Sequence, residues 1–125
     1  MSYGRKINRK TISPMHNISE KAVMRAVSDW LTTHKIQHWR INSGALKSER
    51  GNLVRFGSAG MSDFYAIGSG GISIWIECKR PKGGRLSEPQ RNFLDCINRN
   101  GGIGIVVNSV ESLEQQLIEA GVILL

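Results

Sequence analysis

The chain has 125 residues, 40% of them hydrophobic, and a formal net charge of +7. That length suits one domain with a single core, and no apolar run approaches the ~18 residues that a membrane helix needs. Cys78 and Cys96 lack motif spacing and are too few for a zinc site without help, so both are expected as reduced, mostly buried thiols.

Residues 1–16 read as a flexible basic arm ending at Ser13-Pro14, with no apolar signal-peptide core behind the basic start. Secretion is not expected, and a cytoplasmic location is. A single domain is expected over 17–125. The first helix should begin at Asn17 or Ser19 and run to about Thr33. Ala22, Val23, Ala26, Val27, Trp30 and Leu31 form its apolar stripe. Residues 37–42 (Gln-His-Trp-Arg-Ile-Asn) alternate as a strand does. A glycine-punctuated basic stretch follows over 43–62, with a short strand at Leu53-Val54-Arg55-Phe56 after the turn Arg50-Gly51-Asn52.

Asp63-Phe64-Tyr65-Ala66-Ile67 and Ile72-Ser73-Ile74-Trp75-Ile76-Glu77-Cys78-Lys79 then read as a hairpin across Gly68-Ser69-Gly70-Gly71. A second helix opens at Ser87, with Pro89 in its first turn and Gln90 at the capping-box position, and ends at Asn100-Gly101-Gly102. Ile103–Val107 is expected as a strand buried on both faces. A last helix over Val110–Ala120 stops at Gly121, leaving Val122-Ile123-Leu124-Leu125 as a final strand or docking tail. This order gives an α/β domain whose helices cover a small mixed sheet.

Asp63 and the triplet Glu77-Cys78-Lys79 carry the chemistry. On a strand, Glu77 and Lys79 share one face while Cys78 points to the other. The hairpin can set Asp63 beside Glu77, and two adjacent carboxylates repel unless a cation sits between them. Oxygen ligands around a hard divalent ion, with a lysine alongside, are the equipment of metal-assisted phosphodiester hydrolysis. Simpler roles compete: Asp63 starting a strand or closing a turn, Glu77 in a salt bridge to Lys79 or to an arginine on the next strand, Lys79 as a strand-end group reaching for solvent. Glu20 and Gln90 are ambiguous in the same way, since Asn17-x-x-Glu20 and Ser87-x-x-Gln90 both fit capping boxes. His16, His34 and His38 have no metal spacing with the acids and read as structural or surface groups.

Charge is uneven along the chain. Residues 1–91 hold sixteen Lys and Arg against six Asp and Glu, whereas 92–125 hold one against four. A basic front fits a polyanion partner. Arg40, Lys47, Arg50 and Arg55 precede Asp63, while Arg80, Lys82 and Arg85 follow Lys79. Both groups are candidates for positioning phosphates without reading bases.

Taken in order, Arg40-Ile41-Asn42-Ser43-Gly44, Gly60-Met61-Ser62-Asp63, Ile76-Glu77-Cys78-Lys79, Leu86-Ser87-Glu88-Pro89-Gln90 and Gly101-Gly102-Ile103 with Ser109 resemble the PD-(D/E)XK nuclease superfamily. Within it they resemble the virus-type replication-repair nuclease (VRR-NUC) family common in phages, over roughly 17–112. The resemblance implies a restriction-endonuclease-like αβββαβ core. It also implies a magnesium- or manganese-dependent deoxyribonuclease acting on branched DNA in the manner of a Holliday-junction resolvase, commonly as a homodimer, in a bacterial or phage-infected cell. By the same resemblance Asp63, Glu77 and the Cys78 backbone carbonyl ligate the metal. Lys79 positions or helps deprotonate the attacking water, Glu20 matches the helix-one acid, and Gln90 matches the motif glutamine. No small-molecule cofactor is implied. Ser62 stands where the superfamily has proline, and Cys78 replaces the usual aliphatic residue. The competing reading is a non-catalytic nucleic-acid-binding module or subunit that keeps the nuclease fold.

Overall fold

A computed structural model describes residues 17–41, 44–47, 49–56 and 59–122, with backbone only over 44–47 and 53–56. The proposed basic arm, Asn42-Ser43 and residues 123–125 lie outside the described residues. Helix α1 spans Glu20–Thr33, followed by strands β1 (Gln37–Arg40), β2 (Gly44–Lys47), β3 (Leu53–Phe56), β4 (Phe64–Ile67) and β5 (Ser73–Cys78). Helix α2 (Glu88–Arg99), strand β6 (Ile103–Val107) and helix α3 (Val110–Glu119) complete the order. The molecule is thus mixed α/β. A four-stranded sheet runs β1-β4-β5-β6, and β2 pairs with β3 in a separate two-stranded sheet. Strand β2 was not among the expected elements; Gly44 at its start and only four residues gave it no readable alternation.

Pairing is antiparallel from β1 through β4 to β5, then parallel between β5 and β6. The parallel step needs a crossover, and α2 supplies it. Strand alternation separates two faces. Phe64, Ala66, Ile74, Ile76, Cys78, Ile103, Ile105 and Val107 point one way and pack with Val23, Val27 and Leu31 of α1 and Leu113 and Leu117 of α3. Helix α2 lies across the other face, where a Cβ on Gly104 would stand 3.0 Å from the Leu94 carbonyl oxygen. Burial in β6 alternates strictly, with Gly104 and Val106 only half-buried. The expectation of burial on both faces is therefore corrected: one helix covers the second face loosely. Val122 packs against the core after its N–H donates to the Leu117 carbonyl.

Both cysteines are free, Cys78 buried as expected. Cys96 is exposed, against expectation, because it sits on the outer side of the amphipathic helix α2. Among the described residues no helix is long and apolar enough to cross a membrane.

Helix α1 ends with His34 at its C-cap, and Lys35 follows with φ at 57°, the left-handed conformation that disfavours any side chain with a Cβ. Lys35 is exposed, so its side chain offers little packing in return. Lys35→Gly is expected to stabilise the protein by about 0.5–1 kcal/mol, raising Tm by a few degrees in a thermal melt.

Candidate metal centre

Three elements deliver three carboxylates to one place. Glu20 comes from the first turn of α1, Asp63 from the entry to β4, and Glu77 from near the end of β5. One oxygen from each lies within 4.8 Å of the others. The start of α1 explains how Glu20 arrives. Ser19, not Asn17, is the N-cap, and its hydroxyl accepts from the Ala22 N–H at 3.1 Å. Of the two helix starts open from the sequence, Ser19 is the one used, and the Asn17-x-x-Glu20 capping box does not form. Glu20 is the first helical residue, too early to reach back to its own cap, and its carboxylate is free to face the two acids.

Asp63 is held by its backbone and its side chain. Its carbonyl accepts from the Ile41 N–H at 2.8 Å, extending the β1–β4 ladder by one step, and from Arg40 Nη1 at 3.3 Å. Oδ2 accepts from the Cys78 N–H at 2.7 Å, a contact between a strand's main chain and its neighbour's acid. Oδ1 is left 3.8 Å from Arg40 Nη1.

Glu77 is 1% exposed, and its two oxygens differ sharply. Oε2 accepts from Gln90 Nε2 at 3.0 Å and lies 3.3 Å from Lys79 Nζ. Oε1 is buried and has no hydrogen-bond partner. A buried charged oxygen with no donor is costly, and a cation is one group that could satisfy it. Burial foremost, then the adjacent Asp63 carboxylate, pushes the Glu77 carboxyl up from 4.5 to about 7, while Lys79 pulls it down. Burial likewise pushes the Cys78 thiol up, leaving it an inert core group.

Lys79 is no solvent-reaching strand end: its side chain is 14% exposed and paired with Glu77. Gln90 performs both roles that its sequence position allowed. Its Oε1 accepts from the Ser87 N–H at 2.9 Å to close the capping box, and its Nε2 donates to Glu77. The amide is thus oriented at both ends. Helix α2 is in turn seated by Gly60, whose φ is +82° and whose Cβ, if it had one, would lie 2.3 Å from the Pro89 carbonyl oxygen. Only glycine allows that loop to touch the first turn of the helix.

The basic candidates divide by position. Arg40 is exposed at the sheet edge and reaches Asp63. Arg80 and Arg85 line a cavity of about 360 Å³ together with Ser19, Glu20 and Lys79, so of the three acids Glu20 is the one that meets it. Lys82 is exposed at the tip of the same connection, and Arg50 is exposed at the β2–β3 turn. The side chains of Lys47 and Arg55 lie outside the described residues. Ser62, the residue in place of proline, is 1% exposed with an unpartnered hydroxyl.

Sequence reasoning passed over a row of aromatic rings on the Glu77 face, Trp39, Tyr65, Trp75 and Phe93. The signal was present, since Tyr65 and Trp75 stand two residues from Asp63 and Glu77 and so share their side of each strand. The chain matches no family model, no curated protein and no solved structure.

A carboxyl raised in the folded state holds a proton that the unfolded chain has already released, so stability falls as pH rises from about 4.5 to about 7. Metal-free wild type is expected to lose up to ~3 kcal/mol more than Glu77→Gln between pH 4.5 and pH 8. Urea unfolding of both proteins at the two pH values measures the difference.

Proposed function

We propose that this chain is a metal-dependent nuclease of the PD-(D/E)XK superfamily, of the virus-type replication-repair kind, hydrolysing phosphodiester bonds in branched DNA. One observation carries the reading. Glu20, Asp63 and Glu77 converge within 4.8 Å, and Glu77 keeps one buried oxygen without a partner beside Lys79 and Gln90. A set of hard oxygen donors fits magnesium or manganese and does not fit zinc, which prefers nitrogen and sulfur. Asp63, Glu77 and the Cys78 carbonyl would hold the ion, with Glu20 completing the acidic set. When bound, it would supply positive charge to a phosphate oxygen and acidify a water.

The chain's own groups prepare that chemistry. Glu77 must shed its proton to bind a cation, and its raised pKa ties loading to neutral or higher pH. Lys79 lies where an ammonium can hold the attacking water and stabilise charge developing on the phosphorus oxygens. Gln90 fixes the rotamer of Glu77, so the ligand does not swing when the ion arrives. Arg80 and Arg85 face the cavity next to Glu20 and Lys79, where the phosphate backbone enters. With the β2–β3 hairpin set aside as an insertion, the element order reads αβββαβ with a trailing helix, in keeping with a restriction-endonuclease-like core. A homodimer would present one such site to each strand of a junction.

The test is cleavage of a labelled four-way junction, flap, splayed arm and linear duplex, with magnesium, manganese or chelator. Paired cuts in the junction are expected with either metal and none with chelator. Asp63→Asn and Glu77→Gln should each lower the rate by on the order of 10²–10³-fold or more. Tight binding of every substrate with no cutting by wild type would leave a non-catalytic nucleic-acid-binding module instead.

A further inference from the structure

The aromatic row stands beside the acids on the same side of the sheet. Asp63 and Tyr65 are two residues apart entering β4, and Glu77 and Trp75 are two apart in β5. Tyr65 and Trp75 are direct cross-strand partners, as are Trp39 and Tyr65. Helix α2 repeats the arrangement: Gln90 reaches Glu77, and Phe93, one turn on, meets Trp75. A rise of about 3.3 Å per strand residue puts Tyr65 and Trp75 ~7 Å along their strands from Asp63 and Glu77, about one nucleotide's reach, and Trp39 stands across from Tyr65 on the next strand out.

The rings form a stack closed at one end and open at the other. Trp39 and Tyr65 have centroids 5.7 Å apart with planes 20° from parallel, and Tyr65 and Trp75 follow at 4.7 Å, tilted by 39°. Phe93 meets Trp75 edge-on at 5.1 Å and closes that end. Trp75 Nε1 donates to Ser73 Oγ at 3.0 Å, so this indole's polar atom is already satisfied. At the other end Trp39 lies on edge strand β1 and is 45% exposed, with no described ring on its outer side.

We infer that Trp39, backed by Tyr65 and Trp75, receives an unpaired nucleobase flanking the phosphate that a metal ion at Glu20, Asp63 and Glu77 would hold. The inference rests on the nuclease reading and adds a substrate requirement to it: at least one unstacked base next to the cut. Base-on-indole stacking continues the existing ring stack and needs no sequence. Charge favours a nucleic acid as occupant: Arg40, also exposed, follows Trp39 on the same edge strand, and the chain carries a net charge of +7.

The experiment uses the full chain with calcium in place of magnesium. Fluorescence anisotropy measures binding to a single-stranded oligonucleotide and to a blunt duplex of equal length, for wild type, Trp39→Ala and Trp39→Phe. Trp39→Ala is expected to weaken single-strand binding about tenfold, change duplex binding less than about twofold, and leave Trp39→Phe near wild type. Equal losses on both substrates, or none on either, overturn the inference while leaving a wild type that cuts DNA with manganese intact as a nuclease. Sedimentation showing a dimer that Trp39→Ala splits, with single-strand affinity unchanged, gives the face to a second copy and also overturns it. A wild type that neither binds nor cuts any nucleic acid removes the nuclease reading first, and the inference with it.

Discussion

Taking a carboxylate out of water is unfavourable unless donors or a cation replace its hydration, and Glu77 is the group in this fold for which that problem is most acute. Its neighbours answer for only half of it. Lys79 and Gln90 both address Oε2, and Oε1 is left with nothing. Asp63 and Glu20 make matters worse by bringing further negative charge. A fold selected for stability alone would gain by replacing Glu77 with an apolar residue, as stands at its β5 neighbours Ile74, Trp75 and Ile76. Retaining three acids at the end of a well-packed sheet makes sense when a positive charge joins them.

Each acid is set by an ordinary element of local structure. Ser19 caps α1 and thereby makes Glu20 its first residue, pointing away from its own cap. The β1–β4 ladder continues one bond past its last paired residues and fixes the Asp63 backbone. The capping box of α2 engages one end of the Gln90 amide and leaves the other for Glu77. Nothing exotic is needed to build the centre. What is unusual is the convergence of three element termini on one point.

How much of this was legible in the sequence depended on the range of the interaction. The second helix, its capping box and the hairpin around Gly68–Gly71 were readable because their determinants lie within a few residues of each other. The i, i+2 pairing of Glu77 and Lys79 was readable for the same reason. Glu20 was ambiguous: Asn17 and Ser19, two residues apart, offered competing caps, and which of them is used decides where the carboxylate points. Strand β2 was missed because four residues beginning with glycine carry no pattern, and its pairing with β3 is a property of both segments. The aromatic row was missed although each member was visible, since only the registers of β1, β4 and β5 align Trp39, Tyr65 and Trp75. Exposure of Cys96 against burial of Cys78 likewise depended on which side of α2 meets the sheet.

The contact between Gly60 and the first turn of α2 also bears on how this chain can vary. Gly60 seats the polypeptide against Pro89 just before Asp63, through main-chain atoms alone. The β2–β3 hairpin enters between Ile41, whose N–H donates to the Asp63 carbonyl, and this anchor. A change in the hairpin's length or basic residues leaves both ties, Ile41 to Asp63 and Gly60 to Pro89, intact in their own residues. The fold thus separates a segment free to diversify from a centre that tolerates little change, and a single residue without a side chain marks the boundary.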